Sequence, residues 1–121
     1  MATILLIEDD TALQEAYSFL LSTEDHVVTS AYNGQEGIDK AKQQTYDIIL
    51  LDIHMPIMDG LEFLEAFQSI RPSATKIIVF SNMVEPEIES EALKLGADAC
   101  ILKSSMTPTS MLSVVQENLD T

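Results

Sequence analysis

Polar residues that could do chemistry stand directly after four apolar runs of this chain. The run ILLI is followed by Glu8 and Asp9, and the run IILL by Asp52. Ser81 follows VF, and Lys103 follows IL. A carboxylate is costly to bury beside an apolar run unless another group pairs with it. If the runs end at one place, they would bring together three carboxylates, one hydroxyl and one ammonium group.

Such a collection of groups predicts a site for a divalent cation and a phosphoryl group. Two carboxylates about 4 Å apart repel by roughly 4 kcal/mol at an effective dielectric constant of about 20. A hard cation between them relieves this repulsion, and an all-oxygen ligand set suits Mg²⁺ or Mn²⁺ rather than zinc. Asp52 could attack phosphorus as a nucleophile. Lys103 would neutralise charge on the transferring oxygens, and the Ser81 hydroxyl would donate a hydrogen bond.

The apolar runs have the composition of strands that are covered on both faces. They are short and rich in Ile, Val and Leu, and several lack the alternation of half-exposed strands. The predicted strands are Thr3–Ile7, Val27–Ala31, Asp47–Leu51, Lys76–Phe80 and Ala99–Leu102.

Amphipathic helices are predicted between and after these strands, because apolar residues recur there at helical spacing. Thr11 with Gln14, and Asn33 with Glu36, could form capping boxes at the first two helix starts. Gly96 is well placed to end the fourth helix. The helices are predicted along the stripe Leu13–Leu21, over Gly37–Gln43, along the stripe Phe63–Ile70, over Glu85–Leu95 and over Pro108–Leu119.

Fivefold alternation of strand and helix predicts a doubly wound α/β fold with a parallel sheet and helices on both faces. Ligands of such sheets bind beyond the carboxyl ends of the strands. The polar residues named above occupy those ends. Because no linker, repeat or low-complexity tract interrupts the chain, we expect a single domain over residues 1–121.

Composition narrows the classes of function. The formal net charge is −14, which disfavours direct binding to nucleic acid or to anionic lipid and is compatible with divalent cations. No apolar stretch approaches the roughly 20 residues needed to span a bilayer, and the start lacks the basic segment of a signal peptide. The single cysteine, Cys100, fits a reducing compartment. We therefore expect a soluble cytoplasmic protein.

The sequence resembles the receiver domain of two-component response regulators, the family of the bacterial chemotaxis regulator. The matching segments are ILLIEDD, LLDIHMPIMDG, VFSN and ILKS, which occur in this order along the chain. The resemblance implies a flavodoxin-like (βα)5 fold with five parallel strands in the order 2-1-3-4-5. Because the sequence ends just after the fifth predicted helix, we expect no output domain in this chain, which would be either a stand-alone receiver or a fragment of a longer regulator.

The resemblance assigns a metal site and a phosphoacceptor. Glu8 and Asp9 match the acidic pair that orients Mg²⁺, and Asp52 matches the phosphoacceptor, which also contacts the metal. The backbone carbonyl of His54 matches the third protein ligand.

Partners and output also follow from the resemblance. Ser81 matches the switch hydroxyl, and Lys103 the phosphate-binding lysine. The implied donor is a histidine kinase or a histidine phosphotransfer protein, and a downstream protein would read the fourth helix, fifth strand and fifth helix. The same face could form a homodimer. The chain would be no enzyme, but a phosphoacceptor that assists its own phosphorylation and dephosphorylation.

The sequence departs from the family pattern in three ways. Cys100 replaces the usual aromatic residue, so the switch would have to use helix or loop shifts. Ser104 replaces the proline that usually follows the lysine in a cis peptide, so we expect a trans bond, or else a strained loop. His54 and Met83 occupy positions that tune dephosphorylation, and they do not reproduce the Asn/Glu pair of the chemotaxis protein.

Other interpretations stay open at this point. A metal-dependent phosphohydrolase acting through an aspartyl phosphate would show turnover of an external phosphate ester. A docking module that has lost phosphorylation would leave Asp52 unmodified. The D-x-H spacing of Asp52 and His54 could indicate a zinc or iron site, although no second histidine lies near in sequence. Asp10 is expected only to favour the first helix, and His26 to have no role.

Overall fold

Parallel strands and helices alternate along the computed structural model, which describes residues 1–82 and 85–120. The described strands form one parallel sheet in the order β2-β1-β3-β4-β5. They are β1 (Thr3–Ile7), β2 (Val27–Ala31), β3 (Ile48–Asp52), β4 (Lys76–Ser81) and β5 (Ala99–Leu102). The helices are α1 (Thr11–Ser22), α2 (Gly34–Gln43), α3 (Gly60–Phe67), α4 (Pro86–Lys94) and α5 (Pro108–Leu119), with a 3₁₀ turn over Lys103–Ser105. The predicted fold class and strand order are confirmed.

Hydrophobic residues of β1 and β3 alternate between two cores, one on each side of the sheet. Leu5 and Leu51 belong to the core that packs against α2 and α3, whereas Leu6 and Leu50 belong to the core beside α1 and α5. All four are fully buried, and burying such a side chain stabilises the fold by about 1.5–3 kcal/mol. Both faces of the central strands are therefore closed to solvent, which leaves the strand ends as the place for polar chemistry.

Two strands reach one residue further than predicted. β3 runs to Asp52 and β4 runs to Ser81, so both polar residues are the last positions of strands rather than the first positions of loops. α3 ends at Phe67, earlier than the predicted stripe, and Ile70 is exposed. Strand ends hold a side chain more rigidly than loops do, because the ladder fixes the backbone.

The predicted capping box of Thr11 and Gln14 is wrong. Asp10 is the N-cap of α1, and its Oδ1 accepts hydrogen bonds from the backbone N–H groups of Ala12 (2.9 Å) and Leu13 (3.2 Å). Thr11 is already inside the helix, and Gln14 is turned to the interior. A carboxylate satisfies unpaired amides at a helix start well, so Asp10 takes the place that was predicted for threonine.

The other predicted helix boundaries largely hold. Asn33 caps α2 by accepting from the Glu36 N–H at 2.9 Å, although the helix begins at Gly34 rather than Gly37. The Glu36 carboxylate accepts from the N–H of Tyr32 instead of closing a reciprocal box. Gly96 follows α4 with a φ of 109°, a conformation that favours glycine.

His26 has a structural contact that the sequence did not predict. The ring is 8% exposed, and its Nδ1 accepts a hydrogen bond from the Ala2 N–H at 3.1 Å. Burial, followed by the positive amino terminus, lowers the pKa of His26. The expectation that His26 has no role is therefore wrong: it ties the start of the chain to the start of β2.

Across residues 1–82 and 85–120, no helix has both the length and the apolar character to cross a bilayer.

Candidate functional site

The carboxyl ends of β1, β3 and β5 bring oppositely charged side chains together. Lys103 Nζ lies 2.6 Å from Glu8 Oε1 and 3.3 Å from Asp52 Oδ2. One carboxylate oxygen each from Glu8, Asp9 and Asp52 fall within 4.8 Å of one another. Residues as far apart in sequence as Glu8 and Lys103 therefore share one small volume, as the sheet topology predicts.

The site is buried on one side and open on the other. Glu8 is 0% exposed and Asp52 is 3% exposed, whereas Asp9 is exposed. Both Glu8 oxygens are engaged, since Oε1 accepts from Lys103 and Oε2 accepts from the Asp10 N–H at 3.1 Å. Asp9 therefore forms the solvent-facing side of the site.

Burial and charge act against each other in the pKa values of the site. Burial raises the pKa of Glu8 to about 7, the neighbouring Asp52 charge adds to this, and the Lys103 hydrogen bond opposes it. For Lys103, burial acts to lower the pKa, but Glu8 and Asp52 together outweigh burial and raise the pKa above its ordinary value. Lys103 therefore stays a cation. Its ammonium also lies 5.2 Å from the centre of the Phe80 ring, a favourable cation–π arrangement.

The ligand set fits a hard divalent cation. Three carboxylates and one ammonium leave an excess of negative charge when all are ionised, and carboxylate oxygens are the ligands that Mg²⁺ and Mn²⁺ prefer. Glu8, Asp9 and Asp52 are the residues that would hold the ion. The capping residue Asp10 lies outside this group, in agreement with its predicted role at the helix.

Ser81 lies at the same edge of the sheet. In the parallel register Asp52 pairs with Phe80, and Ser81 pairs with Leu102, the residue before Lys103. Ser81 on β4 therefore lies one residue past the position that pairs with Asp52 of β3. Lys103 follows the β5 residue that pairs with Ser81. It is half-buried.

His54 directs its side chain towards α4. Its Nε2 lies 2.6 Å from Oε1 of Glu85, the residue that precedes α4, and about half of the His54 side chain is exposed. The Glu85 carboxylate makes no capping bond to α4. The role of the His54 backbone carbonyl as a metal ligand stays a prediction, and Met83 lies outside the described residues.

Close backbone packing holds the loop after Asp52 in place. The Gly60 N–H donates to the Ile53 carbonyl at 2.8 Å. A Cβ atom at Gly60 would lie 2.5 Å from the Asp52 carbonyl oxygen and 2.8 Å from the Ile53 Cα, so a larger residue would push β3 and α3 apart. Asp59 and Glu62 form a complete capping box at the start of α3. These contacts fix the backbone of Asp52.

The departures from the family pattern have visible consequences. The peptide between Lys103 and Ser104 is trans, as predicted. Cys100 is half-buried and lines a cavity of about 70 Å³ between α4 and the sheet, together with Ser81, Glu85 and Ala92. Burial raises the pKa of the Cys100 thiol. The small side chain leaves free volume under α4.

One buried residue beside the site was missed from sequence. Gln14 is 1% exposed, and its Nε2 lies 2.8 Å from the carbonyl oxygens of both Leu6 and Ala31. Gln14 is a polar residue on the apolar face of α1, and this position could have indicated a buried hydrogen-bonding role. Its spacing from Thr11 instead led to the prediction of a capping box.

Comparison with known proteins agrees with this geometry. The family model described as the response regulator receiver domain matches residues 4–116. The nitrate/nitrite response regulator NarL of Escherichia coli K12 is 39% identical over 118 residues, which cover 96% of this chain and 54% of NarL. The cell cycle response regulator CtrA of Brucella ovis is 38% identical over 100 residues, covering 83% of this chain and 43% of CtrA. The chain thus spans about half the length of these curated relatives.

Solved structures show the same architecture. A CheY-like receiver domain protein from Methanospirillum hungatei superposes with a TM-score of 0.93 at 32% identity, over 99% of this chain and 94% of that one. The chemotaxis protein CheY4 of Vibrio cholerae superposes with a TM-score of 0.89 at 29% identity, over 98% and 99%. The chain belongs to the response regulator receiver domain family, whose members are phosphorylation-dependent signalling switches.

Proposed function

We propose that Asp52 accepts a phosphoryl group from a phosphohistidine of a sensor kinase or a phosphotransfer protein, with Mg²⁺ or Mn²⁺ as cofactor. The observation that supports this most is the position of Lys103 Nζ, 3.3 Å from Asp52 Oδ2, beside the gathered carboxylates. A buried carboxylate next to a fixed ammonium and a cation-binding edge has the parts that phosphoryl transfer to an aspartate requires.

The transfer forms a bond between an Asp52 carboxylate oxygen and phosphorus, and it breaks the P–N bond of the phosphohistidine, whose imidazole leaves with the electron pair. Lys103 is held by Glu8 and neutralises negative charge on the phosphoryl oxygens. The Ser81 hydroxyl donates to one of these oxygens. Glu8, Asp9 and Asp52 would hold the metal, which would supply further positive charge for the transferring group.

The output is proposed to pass through α4, β5 and α5 to a downstream protein. Two features of the described residues support α4 as the element that moves. The His54–Glu85 contact connects the loop after Asp52 to the start of α4, and the cavity beside Cys100 gives α4 space to shift towards the sheet. A new charge at Asp52 would then change an equilibrium between two positions of α4, without an aromatic side chain as intermediary.

Partner chemistry follows from charge. The start and body of α4 carry four glutamates, Glu85, Glu87, Glu89 and Glu91. The whole chain has a formal net charge of −14. A downstream protein with a basic face would fit this helix, and a second copy of the chain could use the same α4–β5–α5 face to form a homodimer. Direct binding to nucleic acid or membrane is disfavoured by the same charge.

The test is intact-mass measurement after incubation with acetyl phosphate and Mg²⁺. The wild-type protein should gain the mass of one phosphoryl group, Asp52→Asn should gain none, and Asp39→Asn, which alters an exposed acid on α2, should behave as wild type. A chelator should stop the labelling. Label that persists in Asp52→Asn would place the acceptor elsewhere. Turnover of an external phosphate ester would instead favour a phosphohydrolase.

A further inference from the structure

We propose that Gln14 is a positioning residue for the metal site. Its side-chain amide joins α1 to the ends of β1 and β2, and it thereby sets the orientation in which Glu8 and Asp9 bind a divalent cation. This inference rests on the proposed function for the identity of the cation as Mg²⁺. It concerns a residue that neither the family resemblance nor the sequence pattern singled out as part of the site.

The Gln14 amide contacts three carbonyl oxygens in one corner of the fold. Nε2 lies 2.8 Å from the oxygens of Leu6 and Ala31 and 3.4 Å from that of Glu8. An amide nitrogen carries two N–H groups, so the two short contacts use both donors and the third is weaker. Ser18 Oγ lies 3.5 Å from the Gln14 Oε1 and favours the same orientation of the amide.

These contacts lie at the connection that carries the acids. Only Glu8 and Asp9 stand between Ile7, the last residue of β1, and Asp10, the N-cap of α1. The Glu8 N–H donates to the Ala31 carbonyl at 3.0 Å, which is the same oxygen that Gln14 reaches from the helix. A shift of α1 relative to β1 would therefore rotate the Glu8–Asp9 connection, and with it both carboxylates.

The amide occupies a position where an apolar residue would serve packing equally well. Gln14 and Leu21, seven residues apart, are the buried residues of α1, and Tyr17 lies between them on the same face. Burying an amide without hydrogen-bond partners is unfavourable, whereas a buried methionine or leucine carries no such cost. The hydrogen bonds that the Gln14 amide donates to the carbonyls of Leu6 and Ala31 explain why an amide occupies this position.

The first experiment measures Mg²⁺ affinity directly by calorimetry in the full chain. Gln14→Met keeps the side-chain length and removes both donors. Thr75→Val is the matched control. Thr75 lies in the loop before β4, is as buried as Gln14, and donates a hydrogen bond to the Tyr46 carbonyl at 2.7 Å. Both variants should melt at a lower temperature than wild type. Gln14→Met should bind Mg²⁺ about tenfold more weakly, while Thr75→Val should stay within about twofold of wild type.

The second experiment measures acetyl phosphate labelling against Mg²⁺ concentration. The Mg²⁺ concentration for half-maximal labelling of Asp52 should rise about tenfold in Gln14→Met, and saturating Mg²⁺ should restore the label. If Gln14→Met does not fold, Gln14→Asn retains the amide one methylene shorter and should show a smaller shift in the same direction.

Equal Mg²⁺ affinity in wild type and the Gln14 variant would overturn the proposal. So would equal losses of affinity in Gln14→Met and Thr75→Val, because loss of stability alone would then explain both. If wild-type protein binds Mg²⁺ but Asp52 takes no label, the proposed function fails, and the calorimetric comparison still decides the role of Gln14.

Discussion

At the amino-terminal edge of the sheet, polar side chains are paired with the backbone. Asp98 Oδ2 accepts from the Ile77 N–H at 2.8 Å and from Arg71 Nη2 at 2.9 Å. The Arg71 guanidinium also donates to the carbonyls of Gly96 and Thr75. One positive and one negative charge meet here, and each is further tied to the main chain.

The carboxyl-terminal edge is arranged differently. Glu8 and Asp52 share the Lys103 ammonium, and Asp9 adds a third carboxylate with an oxygen within 4.8 Å of theirs. Negative charge therefore exceeds positive charge when all four groups are ionised. Burial, followed by the neighbouring Asp52 charge, raises the pKa of Glu8 to about 7, although the Lys103 hydrogen bond opposes the shift. A polar cluster with balanced charge stabilises the fold, whereas a partly buried cluster with surplus charge can bind a ligand of opposite charge.

Removing Lys103 should have the largest effect, because it supplies the positive charge of the crowded edge. Lys103→Met should lower the free energy of unfolding by about 3 kcal/mol, since it leaves the buried Glu8 and Asp52 carboxylates without their counter-charge. Acetyl phosphate labelling should be lost as well. Urea denaturation and intact mass measure the two effects. A variant as stable as wild type would show that the site does not depend on this ammonium.

Removing Arg71 should break the other edge and leave the site intact. Arg71→Met should lower the free energy of unfolding by about 2 kcal/mol, because it removes hydrogen bonds from a charged donor to two carbonyls and a carboxylate. Labelling at Asp52 and Mg²⁺ affinity should match wild type. A large loss of labelling in a folded Arg71→Met protein would contradict the separation of the two edges.

His26 should give the smallest effect, seen only as a dependence on pH. Its pKa is lowered in the folded protein, so the unfolded chain binds the proton more tightly. Stability from this residue is therefore full above the unfolded pKa of about 6.5 and falls as the pH decreases below that value.

The matched variant is His26→Asn, whose side-chain oxygen can accept from the Ala2 N–H as Nδ1 does. Thermal melts of wild type and variant between about pH 5 and 8 should diverge towards acid, with the wild type losing more. Parallel curves would show that His26 does not titrate with folding.

Much of this fold follows from local patterns. The strand runs were predicted within one residue of their observed ends, and the sheet order followed from the family resemblance. Uninterrupted Ile, Val and Leu segments have few alternatives to a strand buried on both faces, and alternation with helices leaves few topologies. Proximity of Asp52 and Lys103 was predicted on this basis.

Predictions from sequence failed where a side chain had more than one partner within reach. Gln14 was assigned to a cap from its spacing to Thr11, yet its amide reaches the ends of two strands. His26 was predicted to have no role, yet its Nδ1 accepts a hydrogen bond from the Ala2 N–H. Spacing along one helix carries no information about carbonyls that other segments bring near it.

Hydrophobic periodicity is a local property of the chain, and it is enough to show which groups could do chemistry and on which strand ends they stand. The charge distribution of these groups depends on the tertiary structure. Lys103 lies closer to Glu8 than to Asp52, and Asp9 faces solvent. The Gln14 amide contacts the carbonyl oxygens of Leu6 and Ala31, beside the Glu8–Asp9 connection. Such choices depend on distances of a few ångströms between segments distant in sequence, and those distances are set by packing of the whole domain.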